Sequence, residues 1–195
     1  MTSFEFNNSE LPIIESKRIF LRLGTKEDIY SIVKYFHTNQ SFHNPFYPLR
    51  PKEFFTEKYW DKQVEVDMVE FINDYSLKLF LFKKDNLREV IGNINYRNFT
   101  RGAAQYCTLG YSLAESQQRK GLMREALESS INYVFNGLNI HRIMANYMPH
   151  NQRSGNLLRN LNFVVEGYAR DYLMINGKWE DHILTSLTNS CWSSV

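Results

Sequence analysis

The chain has 195 residues, of which 43% are hydrophobic and 23% charged, with a formal net charge of +2. That length suits a single domain whose core needs no metal or disulfide, and the composition excludes disorder and coiled coil. The mild charge gives no electrostatic case for direct nucleic-acid binding, no apolar run approaches the roughly 20 residues of a membrane span, and the acid-containing MTSFEFNNSE does not read as a signal peptide.

After an N-terminal stretch expected to be loose, Arg18 to Leu23 alternates Ile19, Leu21 and Leu23 with Phe20 and Arg22, the period of a strand. Thr25 and Asp28 have capping-box spacing, and Ile29, Ile32, Val33 and Phe36 then recur on one helical face. Pro51 to Asn73, carrying Phe54, Phe55, Tyr59, Val66, Val69 and Phe71, reads as one or two helices after a proline-rich loop. Leu77 to Lys83, Val90 to Phe99 and Ala104 to Leu113 are strand-like, separated by Lys84-Asp85-Asn86 and Thr100-Arg101-Gly102, and predict an antiparallel meander.

The clearest helix starts at Gly121, keeps Leu122, Ala126, Leu127, Ile131, Val134 and Leu138 on one face, and meets stop signals at Gly137 and Asn139. Arg142 to Met148 predicts a strand and Arg153 to Leu161 a short helix. Phe163 to Ile175 and Trp179 to Leu187 predict two strands around an Asn176-Gly177 hairpin turn. No repeat or linker divides the chain, so one domain over 1–195 is expected, its core from about 14 to 188. The order β α α β β β α β α β β predicts an α/β (α+β) fold with a mixed sheet flanked by helices.

Leu109 to Arg124, LGYSLAESQQRKGLMR, joins a strand to that strongest helix through a polar turn. The first N–H groups of a helix lack intrahelical partners and lie at its positive end, so such a turn can hold a diphosphate. Gly121 allows close approach of backbone to ligand, and Arg119, Lys120 and Arg124 add positive charge; an ordinary solvated helix start is the competing reading.

Gln118, Arg119, Lys120, Gly121, Leu122 and Met123 resemble the Q/R-x-x-G-x-G/A acetyl-CoA signature of the GNAT superfamily of N-acetyltransferases, with Met123 departing from its final Gly/Ala. HRIMANYMPHNQRSGNLLRNLNF from His141 to Phe163, together with KGLM and EGYARDYLMINGKWEDHILTSL, resembles the ribosomal-protein alanine N-acetyltransferases of the RimJ type. The likeness runs from about Ile14 to Leu187.

The resemblance implies a mixed, mostly antiparallel sheet of about seven strands and about four helices, splayed between the fourth strand (Ala104 to Leu113) and the fifth (Arg142 to Met148). It implies a cytoplasmic enzyme that transfers acetyl from acetyl-CoA, without metal, to the N-terminal amine of a ribosomal protein, with alanine the expected first residue. Association with the ribosome is left open. It places the cofactor on Tyr111, Ser112 and Leu113, on Gln118 to Arg124, and on Asn151 and Ser154.

Many relatives carry a tyrosine acid where this chain has Leu158; Ser154, one turn earlier, is the candidate to support the departing thiolate. His182 ranks first as general base, ahead of Asp171, Glu115 and Tyr172, none fixed by spacing. Asn162 reads as a left-handed helix end and Cys107 as core; Tyr168, Tyr172 and Trp179 read as core or groove wall. The alternatives are acetylation of a small amine or antibiotic, with specificity in Phe42 to Phe71, and a non-catalytic CoA-binding or ribosome-associated factor.

Overall fold

The computed structural model describes residues 11–194, so the N-terminal stretch expected to be loose lies outside the described residues. Among these, eight strands form one sheet: β1 (Ile13–Glu15), β2 (Ile19–Arg22), β3 (Leu77–Lys83), β4 (Asn86–Thr100), β5 (Tyr106–Leu113), β6 (Arg142–Tyr147), β7 (Val164–Ile175) and β8 (Lys178–Thr188). The helices are α1 (Ile29–Thr38), α2 (Gln40–His43), α3 (Glu57–Ile72), α4 (Leu122–Asn136) and α5 (Gln152–Asn160). None is long and apolar enough to cross a membrane. The expected strand order shifts by one because β1 adds a first strand; it is too short to show a period, and only Ile14 is buried.

The spatial order is β1-β2-β3-β4-β5-β6-β8-β7, every neighbouring pair antiparallel except β5 and β6. β3 lies inside the sheet with both faces covered. Leu77, Leu79 and Leu81 meet the cluster that includes Ala126, Leu127 and Val134 of α4, while Phe80 and Phe82 meet Ile32 and Phe36 of α1 and Trp60 of α3. That double burial explains its nearly unbroken apolar run. On α3 the buried stripe passes through Trp60, Val64 and Asp67, while Val66 and Val69 face solvent.

Local signals become local geometry at three points. Thr25 and Asp28 form the capping box of a single 3-10 turn, Lys26–Asp28, that leads directly into α1. Asn176 and Gly177 both have positive φ, 47° and 79°, as a two-residue hairpin turn requires. Asn162 has φ 65°, the left-handed helix end expected of it.

Parallel pairing of β5 and β6 is limited to Tyr106 with Arg142, Cys107 with Ile143 and Thr108 with Met144. Beyond that, β6 stays paired to β8 as far as Tyr147, and Leu109 to Leu113 of β5 stay paired to β4. The two strands therefore part, leaving an opening that points toward the start of α4.

Candidate functional site

The turn into α4 begins with Gln118 extended, passes Arg119 at φ 60°, and reaches Gly121 as the helix N-cap at φ 74°. Gln118 N–H donates to Glu115 O at 3.1 Å, and the next amide to find a backbone acceptor is that of Glu125, which donates to Gly121 O at 3.1 Å. The N–H groups of Arg119 to Arg124 have no acceptor among the described residues. Consecutive unpaired donors at the positive end of a 15-residue helix are suited to an anion with several oxygens.

The side chains around the turn divide sharply. Leu122 and Met123 are buried in the main core, so the methionine that departs from the Gly/Ala pattern turns its bulk away from the turn. Arg119 and Lys120 are exposed, and Lys120 Nζ donates to Ser116 O at 2.8 Å. Arg124 pairs with Glu128 one turn along, while Arg18 reaches over from β2's approach to donate to Lys120 O and pair with Glu125.

Ala114 N–H donates to Ile91 O, so strand alternation turns the backbone groups of Ser112 toward β4 and those of Tyr111 and Leu113 toward the opening. Leu113 O is already held by Gln118 Nε2 at 2.9 Å and by His43 Nε2 at 3.1 Å. Gln118 thus fastens the turn to the end of β5. Ser112 contributes its hydroxyl instead: Asn93 Nδ2 donates to Ser112 Oγ at 2.9 Å, and Tyr35 Oη lies 2.7 Å away.

On the α4/α5 side, Asn151 caps α5 by accepting Ser154 N–H at 3.2 Å, and Ser154 Oγ sits 2.8 Å from Tyr111 Oη. Burial pushes the Tyr111 phenol up to about 12, against the opposing hydrogen bond from Ser154, so it stays neutral near pH 7. Leu158 is core. Gly155 is required here because an added Cβ would lie 2.6 Å from the Tyr147 ring.

His182 pairs with neither Ser154 nor Tyr111. Ile183 opposes Tyr147, which meets α5, so alternation puts the His182 side chain on the other face of the sheet. There its Nδ1 contacts Glu180 O at 2.9 Å and its ring lies 5.4 Å from that of Tyr172. The other base candidates lie apart: Asp171 sits in a bulge of β7 with its N–H held by Asp181, and Glu115 is exposed beyond β5 with its N–H held by Asn39.

Cys107 is buried, and burial pushes its thiol up to about 12, which leaves no thiolate to act as a nucleophile. Tyr168 and Trp179 are exposed and do not fill the core. The structure adds His43, Tyr35 and Asn93 to the set around the opening, together with the hydroxyl of Tyr111. The alternation that turns Cys107 and Leu109 inward extends to Tyr111 and was the available signal; nothing local marks His43.

A family model described as "Acetyltransferase (GNAT) domain" matches residues 18–164. The chain belongs to the GNAT acetyltransferase family. It is 43% identical over 182 residues to the [Ribosomal protein uS5]-alanine N-acetyltransferase of Escherichia coli (strain K12), with 92% of each chain covered. Its fold superposes with a TM-score of 0.90 on the Ribosomal-protein-S5-alanine Acetyltransferase from Vibrio fischeri, 36% identical, covering 94% of this chain and all of that one. Mycobacterium smegmatis RimJ, solved in complex with CoA-disulfide, shares the fold at 23% identity and TM-score 0.83, covering 91% of this chain and 86% of that one. The mixed sheet, parted between two parallel strands, is the GNAT architecture the resemblance implies, with eight strands and five helices among the described residues in place of about seven and about four.

Proposed function

We propose that this chain transfers the acetyl group of acetyl-CoA to the N-terminal α-amine of alanine at the start of ribosomal protein uS5. The reading rests on similarity to the Escherichia coli enzyme over 92% of both lengths, joined to a site with the chemistry such a reaction needs. The observation that carries it is the run of unpaired N–H groups from Arg119 to Arg124 at the mouth of the β5–β6 opening.

The residues fit acetyl-CoA. The turn would hold its diphosphate with backbone donors, supplemented by Arg119, Lys120 and, on leaving Glu128, Arg124. The N–H and C=O of Tyr111 and the N–H of Leu113 that face the opening would pair with its amide-bearing arm as an added strand does, joined by Asn151, which caps α5 beside Ser154. Bound there, acetyl-CoA supplies a thioester activated toward amines.

The protein's own groups divide the remaining work between the two faces. Ser154 Oγ, oriented by Tyr111, would donate to the leaving sulfur from the α5 side; a thiol with an ordinary pKa of about 8.5 needs such support more than full protonation. An N–H of β5 directed into the opening would stabilise the charge on the carbonyl oxygen. An N-terminal amine titrates near about 7.7 to 8.0, so modest help suffices, and His182 is the candidate to take its proton directly or through water.

Incubation of the purified chain with acetyl-CoA and an alanine-starting peptide of uS5 should add one acetyl group at the α-amine. Ribosomal proteins from a deletion strain should contain uS5 with a free N-terminus. Release of CoA with small amines alone, and none with the peptide, would overturn the reading in favour of a small-molecule acceptor.

A further inference from the structure

On the sheet face opposite Ser154, α1, α3 and strands β3 and β4 line an open cavity of about 460 Å³. Its inner end comes within one side-chain hydrogen bond of β5, because Asn93, which lines it, donates to Ser112 Oγ, and Ser112 lies between the two β5 residues whose backbone groups enter the opening. A polypeptide with its first amine at the opening therefore has this cavity available for the residues behind it. The volume is in the range of a site for a small group of side chains, too large for one water-filled void.

The charges lining the cavity are unevenly matched. Lys78 is paired with Asp67, whose other oxygen takes Gln63 Nε2, and Glu70 accepts the Ser76 hydroxyl at 2.6 Å. Arg50 and Arg97 make no salt bridge among the described residues. Arg50 is half-buried, its guanidinium 3.9 Å from the Phe54 ring centroid and 4.6 Å from that of Tyr47. Aromatic faces hold a guanidinium in place but leave its charge unneutralised and its N–H fork free for a planar acceptor. Asn95 Oδ1, buried in the same wall, has no partner and can accept an N–H.

We infer that this cavity is a specificity subsite for an acidic side chain of the acceptor polypeptide, within the first few residues after the acetylated one, with Arg50 and Arg97 as its carboxylate-binding pair. The inference deepens the N-terminal acetyltransferase reading and rests on it. Guanidinium and carboxylate neutralise each other as the acceptor enters, so the subsite acts on acceptor KM; bond making stays at the β5–β6 opening.

The test is a peptide series starting with alanine, carrying a single Glu at each of the following positions in turn, each matched by its Gln counterpart. At one position at least, the Glu peptide should be preferred by about tenfold in kcat/KM, mostly through KM, the scale of a partly buried ion pair at an interface. Arg50→Gln and Arg97→Gln should each remove most of that preference while acetyl-CoA affinity is retained; Arg97 is exposed, so its variant keeps the test valid should Arg50→Gln unfold. Equal use of Glu and Gln peptides at every position, or an undiminished preference in folded variants, would overturn the subsite alone. Turnover of small amines with no peptide acetylated would overturn the N-terminal reading and the subsite with it.

Discussion

Gly121→Asp, set beside Gly121→Ala, tests the anion site most directly. The φ of 74° belongs to the left-handed region, so either side chain should cost the fold about 1–2 kcal/mol. Space is not the obstacle, since an added Cβ would meet only Arg18 Nη2, at 3.6 Å. The two variants share that strain and differ by one negative charge beside the unpaired N–H groups. Two unit charges about 6 Å apart repel by roughly 1.4 kcal/mol at an effective dielectric constant of about 40, so two phosphate charges add up to about 3 kcal/mol. Partial neutralisation of the new carboxylate by Arg18 would reduce this, and weakening of acetyl-CoA binding by about ten- to a hundredfold relative to the alanine variant is expected. Calorimetric titration at low and at high salt, with thermal unfolding as the control for folding, measures it: screening should shrink the gap between the variants. Equal affinities for Ala and Asp in folded protein at low salt would refute the diphosphate assignment.

Ser154→Ala should slow turnover by about tenfold with acetyl-CoA affinity within about twofold, the loss of one hydrogen bond to a developing charge; a wild-type kcat would remove Ser154 from the reaction. Gly155→Ala places a Cβ 2.6 Å from the Tyr147 ring and should destabilise the fold by about 1–3 kcal/mol in denaturant titration, whereas an unchanged midpoint would show that α5 can move aside. Iodoacetamide on native protein should modify exposed Cys191 and spare Cys107; rapid alkylation of Cys107 would contradict its burial and raised thiol pKa. Burial alone would raise the Asp28 carboxyl, but Arg22, donating at 2.8 Å, and the Thr25 N–H hold it below the usual carboxylate range. The stability it contributes is therefore present above that range and lost as pH falls through the lowered value. The Tm difference between wild type and Asp28→Asn should persist down to the ordinary carboxylate range and close below it; a difference independent of pH would exclude the charged cap.

Where the determinant is a short piece of backbone, the sequence was enough. Gly121 ahead of an apolar helical stripe fixes the helix start and its unpaired donors, Asn176-Gly177 fixes the hairpin, and Thr25 with Asp28 fixes the entry to α1, because each needs only neighbouring residues and their φ preferences. Strand-like runs bounded by turn residues likewise located β3, β4 and β5 within a few residues of their ends. Resemblance, carried by motifs spread over the chain, supplied the parted strands and the chemistry.

Other features exist only once distant segments meet. The opening lasts as long as β6 follows β8 in place of β5, a competition between pairings that no single strand's composition reveals. Tyr111 reaches Ser154 across 43 residues and His43 reaches Leu113 across 70. Placement of His182 and Ser154 on opposite faces follows from the register of β8 against β6, and a one-residue slip would reverse it. The sequence by itself determined which segment could grip an anion, since that depends on local backbone; the tertiary structure alone decided which side chains meet around the β5–β6 opening, since that depends on contacts whose partners lie far apart along the chain.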